Sequence, residues 1–228
     1  QSILPADKPD PLPMLAVEGF GFPYLNQPEF QSNLFFWQQS PLPGRNILVT
    51  YGIPNAPLDD EGYSEFRQHD ITAIALRPAA TTVPSTPIFT PSRLEKHLLK
   101  VPFHSTGPQT EVTWLREQIS NYLRLKAYWM DLCTQFNVKV FVTQNKYDHT
   151  HCAIADALRK SGGIAAIYQR AFESQPAVAT IIGADIVFGF SPTVALEDEY
   201  RLLVYPRPRA CQKRGRARLH GSHIVQGR

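Results

Sequence analysis

The stretch Val138–Ser191, VKVFVTQNKYDHTHCAIADALRKSGGIAAIYQRAFESQPAVATIIGADIVFGFS, reads as strand, helix, strand, helix, strand. Val138 to Thr143 is an apolar run rich in β-branched residues, bounded by the polar Gln144–Asp148. Asp148 stands at the N-cap position of a helix predicted over His149–Lys160, and Ser161-Gly162-Gly163 ends it. Ile164–Tyr168 is a second short strand. Ser174, with Pro176 in the first turn, opens a further helix that runs to Gly183. Asp185–Phe190 is the third strand. Strands alternating with helices of about ten residues build βαβ units and a parallel sheet. Right-handed crossovers bring the carboxyl ends of such strands to one edge, where ligands of open α/β sheets bind. The loops on that edge carry Tyr147, Asp148, His149, His151, Gln169, Arg170, Glu173, Ser174 and Ser191.

Working outward, Asn46–Tyr51 is a strand closed by Gly52 and Pro54. Asp59-Asp60-Glu61 supplies the acidic first turn of a short helix reaching about Gln68. Ile71–Leu76 is the next strand, which completes another βαβ unit. Glu111–Phe136 is the longest predicted helix. Its stripe of Leu115, Ile119, Tyr122, Trp129, Cys133 and Phe136 follows the 4-3 spacing of one buried face, interrupted by Lys126. The fold expected is α/β: a Rossmann-like open parallel sheet of about five strands with helices on both faces. Three regions are expected: an irregular proline-rich segment over 1–45, the Rossmann-like domain over 46–205, and a basic tail over 206–228. Residues 79–109, rich in Pro, Thr and Ser, form a long connection with one helical candidate near Ser92–Leu99.

With 43% apolar and 11% aromatic residues in 228, the chain has ample material for a core. The formal charge of +3 is misleading: residues 201–228 hold eight Lys/Arg and no Asp or Glu, so the other 15 basic and 20 acidic residues give the body −5. The tail reads as a disordered or non-native end, since no aromatics interleave its arginines; no nucleic-acid partner is expected. Three widely spaced cysteines argue against a disulfide framework and for a reducing compartment. Cys133 and Cys152 fall in predicted helices, as small buried hydrophobes. No apolar run approaches the roughly 20 residues of a membrane span, and no secretory signal is expected at the start.

Several chemistries lack their signatures. No GxxxxGK[ST] is present, no GxGxxG follows a strand, and no GxSxG elbow occurs. His149 and His151 stand two apart, which on a helix separates their directions by about 200°. A shared metal is therefore not expected.

Three stretches together carry a resemblance: Asn33–Arg45 (NLFFWQQSPLPGR), Ile47–Leu76 with its GIPNAPLDDEGYSEFRQHDITAIAL, and the stretch that opens this section. From about Asn33 to Tyr205 the chain resembles the N-terminal half of GT-B-type glycosyltransferase-like proteins of bacterial capsular or surface polysaccharide biosynthesis. The resemblance implies two facing Rossmann-like domains, of which this is the acceptor-side one, inactive alone. The nucleotide-sugar donor would be held by a C-terminal domain, so no cofactor is expected here. It further implies a glycan or lipid-linked saccharide acceptor, a cytoplasmic location and peripheral contact with the inner membrane. Transfer calls for a base at the acceptor hydroxyl, for which Asp148, His149 and His151 are the catalytic candidates. Tyr147, Gln169, Arg170, Glu173, Ser174 and Ser191 are the substrate-binding candidates. Asp148 alone reads first as a helix cap; its convergence with the others favours chemistry. The alternative is a Rossmann-like sugar- or protein-binding module without catalysis.

Overall fold

A computed structural model describes residues 12–19, 37, 40–52, 57–92, 108–144, 149–168 and 183–188. Six strands form one parallel sheet: β1 (Met14–Gly19), β2 (Ile47–Tyr51), β3 (Thr72–Ala75), β4 (Val138–Thr143), β5 (Ile164–Tyr168) and β6 (Ile186–Phe188), in the order β3-β2-β1-β4-β5-β6. This is the doubly wound Rossmann-like arrangement, with the chain reversing direction across the sheet between β1 and β4. The sequence predicts about five strands. The sixth is β1, which lies in the proline-punctuated start and forms the centre of the sheet, pairing with both β2 and β4.

The β2–β3 connection contains helix α1 (Asp60–Gln68), and Asp59 caps it by accepting from Gly62 N at 2.9 Å. Helices α2 (Gln109–Gln135) and α3 (His149–Lys160) follow β3 and β4. At the end of α3, Gly162 takes the left-handed φ of +74° and Gly163 N donates back to Leu158 O at 2.7 Å, which closes the helix as the glycine pair predicts.

Strand alternation divides the core in two. Val17, Ile47, Val49, Tyr51, Ala73 and Ala75 pack with Phe66 of α1. Met14, Ala16, Leu48 and Ile74 face the other way, toward Trp129, Leu132 and Cys133 of α2 and toward Ile154 and Leu158 of α3. A register shift between Met14 and Leu15 leaves Val138 opposite Met14 and Phe141 opposite Ala16. Both β4 side chains thereby enter the same half of the core, where Phe141 meets the Trp129 ring at 5.3 Å.

Lys126 breaks the apolar stripe of α2 because that face meets α3. Its Nζ lies 3.0 Å from Asp156 Oδ2, which also accepts from Tyr122 Oη at 2.8 Å. Arg159 continues the chain of charges, from Asp156 at 3.3 Å to Asp185 at 3.1 Å. Burial works against ionisation of Asp156, but the hydrogen bonds from Tyr122 and Lys126 and the charges of Lys126 and Arg159 outweigh it and hold its pKa below the usual value.

Part of the 79–109 connection is ordered against the sheet. Ile88 bridges Ala75 in parallel, Phe89 N donates to Ala75 O at 2.8 Å, and the Phe89 side chain is buried against Tyr128. The segment thus pairs with the carboxyl end of the edge strand β3 at Ala75. The helical candidate near Ser92–Leu99 (beyond Ser92), the helix from Ser174 and the basic tail lie outside the described residues. No helix among the described residues is long and apolar enough to cross a membrane.

Candidate functional site

The crevice between the carboxyl ends of β1 and β4 is the topological switch point, the usual ligand position in this architecture. Two polar side chains meet there, and a third lies at the next residue of the chain, turned toward β5. Glu18, next to the end of β1, accepts a hydrogen bond from the Thr143 hydroxyl at the end of β4. The next residue, Gln144, is 7% exposed and its Oε1 accepts from Tyr168 Oη at 3.0 Å. Its Nε2 is buried and has no hydrogen-bond partner among the described residues. A buried amide donor left without an acceptor is costly, about 1–3 kcal/mol. A ligand oxygen is one group that removes such a cost.

Gly19 closes β1 for a steric reason. A Cβ placed there would sit 2.7–2.9 Å from three atoms of the Tyr51 ring, and Tyr51 is itself only 2% exposed. The absent side chain lets the chain leave β1 flush against β2. Burial, with the nearby charges of Asp59 and Glu65, raises the pKa of Tyr51 well above that of an ordinary phenol.

A cleft of about 410 Å³ lies on the same edge, lined by Asn121, Arg124, Leu125, Tyr128 and His149. Tyr128 Oη donates to Leu76 O, just beyond β3, at 3.2 Å, while His149 begins the helix after β4. In the order β3-β2-β1-β4 those two anchors flank the ends of β2 and β1. The ring of Tyr128 is a fixed wall, set edge-on to Phe89 at 5.0 Å and to Trp129 at 5.9 Å. Helix α2, with 27 residues, is about 40 Å long, whereas the six residues of β4 span about 20 Å. Its first turns therefore project past the sheet edge, with Trp114 58% exposed on the projection.

Of the catalytic candidates, His149 is exposed and lines the cleft. His151 is 7% exposed and points elsewhere, its Nε2 3.4 Å from Cys152 Sγ. The described residues contain no group of three or more His, Cys, Asp or Glu able to hold a metal ion. Asp148, Tyr147, Gln169, Arg170, Glu173, Ser174 and Ser191 lie outside the described residues. Glu18, Thr143, Gln144 and Arg124 were not among the sequence candidates. For Glu18 the available signal was a carboxylate directly ahead of Gly19-Phe20-Gly21, but it becomes visible only once Met14–Gly19 is recognised as a strand.

Cys133 is buried, and that burial pushes its thiol up to about 12 despite the nearby Lys139 charge; Cys152 is partly exposed. Comparison of the chain with protein-family models, curated proteins and solved structures found no match.

Proposed function

We propose that this chain is the acceptor-side domain of a glycosyltransferase-like protein of surface polysaccharide biosynthesis, and that a saccharide acceptor lies at the carboxyl edge of its sheet. The observation that carries this reading is the set of polar groups at the switch point. The Glu18 carboxylate accepts from Thr143, which holds it in place, and the adjacent buried Gln144 amide has a donor without a partner among the described residues. Planar carboxylate and amide groups suit the vicinal hydroxyls of a sugar, each of which both donates and accepts. In transfer, an acceptor hydroxyl must lose its proton as it attacks the donor. Glu18 at the strand end and His149 on the cleft wall are the groups of this edge suited to receive it. The resemblance of residues 33–205 adds the reaction class, with the donor nucleotide sugar held by a facing domain.

Titration with neutral oligosaccharides followed by NMR tests the reading. The backbone amides of Gly19, Thr143, Gln144 and His149 are expected to shift together on binding, and Glu18→Gln to weaken binding about fivefold or more. Failure to bind any saccharide, or shifts confined to other parts of the sheet, would overturn it.

A further inference from the structure

The switch point carries an acidic group, whereas the neighbouring cleft carries basic ones. Arg124 lies just past the middle of α2, and its one described contact is the hydrogen bond from Nη2 to Asn121 Oδ1. Among the described residues the ion pairs of this face join Lys126, Asp156, Arg159 and Asp185, and none includes Arg124. Asn121 is a neutral partner that engages one arm of the guanidinium, and the other arm has no described partner. No carboxylate lines the cleft among the described residues; Arg124 and His149 line it together with Leu125 and the Tyr128 ring.

We propose that the cleft binds a phosphate group, with Arg124 as its principal ligand, and that the saccharide reaching the switch point is a phosphorylated one. This rests on the acceptor reading above and names the chemical class of that acceptor. Arginine recognises phosphate through paired N–H donors, a contact stronger than one to a neutral hydroxyl. The volume of about 410 Å³ accommodates a sugar phosphate and lies within the usual range for small-molecule sites. Leu125 and Tyr128 supply the apolar wall against which a pyranose ring stacks. The cleft, whose wall His149 enters just after β4, and the Glu18 crevice both lie toward the carboxyl edge of the sheet, and the proposal places the phosphate in the first and the sugar hydroxyls toward the second.

Isothermal titration with glucose 1-phosphate, inorganic phosphate and glucose decides. Glucose 1-phosphate is expected to bind about tenfold or more tightly than glucose. Arg124→Gln should abolish that preference while leaving glucose affinity within about twofold, and Arg124→Lys should restore part of it. Glu18→Gln should weaken both sugars by the same factor. Because Arg124 is exposed, its loss leaves the core intact, which circular dichroism checks. Sedimentation with phosphatidylcholine vesicles containing phosphatidylglycerol separates the two sources of phosphate. Arg124-dependent sedimentation supports the proposal with a lipid-linked phosphate, and its absence alongside Arg124-dependent binding of glucose 1-phosphate supports it with a soluble one. Equal affinity for glucose and glucose 1-phosphate, or a preference that survives Arg124→Gln, overturns the phosphate site but leaves the acceptor reading standing. Failure of every sugar to bind overturns both.

Discussion

Replacing Gly19 with alanine tests the packing at the switch point. The new methyl would lie 2.7, 2.8 and 2.9 Å from Cε1, Cζ and Cδ1 of Tyr51, against a comfortable carbon–carbon separation of about 3.5–4.0 Å. Relief requires the ring or the strand to move by about 1 Å. The ring has little room, being 2% exposed and set against Phe66 at 6.2 Å between centroids. Overpacking of this kind costs about 1–3 kcal/mol. Removing a glycine also restricts the unfolded chain, which returns about 0.4–1 kcal/mol. The net expectation is a loss of about 1–2 kcal/mol, read from urea midpoints at unchanged slope. The same substitution in a Tyr51→Ala background should cost less than about 0.5 kcal/mol, because the atoms it strikes are gone. An equal cost in the two backgrounds would refute the steric account, as would a Gly19→Ala protein as stable as wild type.

Two further outcomes follow from the α2–α3 half of the core. Asp156→Asn should lower stability by about 1 kcal/mol at neutral pH, since its ion pairs are half-exposed. The pKa of Asp156 is depressed in the fold, so its contribution is full above the unfolded value of about 3.9 and is lost as pH falls through the folded one; a wild-type-to-variant gap in urea midpoint that failed to shrink below about pH 4 would contradict this. Cys133, buried and with its thiol raised to about 12, should resist iodoacetamide at pH 8 in the folded protein and react in urea, as peptide mass spectrometry would show.

The elements with local signals were legible in the sequence. Val138–Thr143, His149–Lys160 and Ile164–Tyr168 occupy the predicted spans because each combines a periodic or β-rich run with a stop, and Gly162 supplies the left-handed turn that ends α3. The central strand escaped because centrality removes the signal. Both faces of β1 are covered, so Met14-Leu15-Ala16-Val17 shows no polar alternation, and Met, Leu and Ala have no strong β preference. Prolines at 11 and 13 add a loop-like approach. Without β1 the switch point had no left bank, and Glu18 could not be paired with Thr143, 125 residues away. Lys126 was visible as an interruption of a stripe, but its reason, the carboxylate of Asp156, lies 30 residues further on and on another helix.

The central place of β1 also dictates an order of assembly. Its β2 partner follows within a few dozen residues, but β4 closes the other side only after α2 has been made, and the Leu12–Asn137 hydrogen bond that tethers the ends of the two strands spans 125 residues. Parallel pairing over such a distance carries a large loop-closure cost, so the β1–β4 junction is expected to form late, after the β1–β2–β3 and β4–α3–β5 pieces have acquired local structure. On a ribosome adding about 5–20 residues per second, the first half would wait several seconds with the β4-facing edge of β1 open. During that interval Leu15 and Val17 expose an unpaired strand, the feature on which nascent chains aggregate. The seam that creates the switch-point crevice is thus also the step at which this chain is most vulnerable during its synthesis.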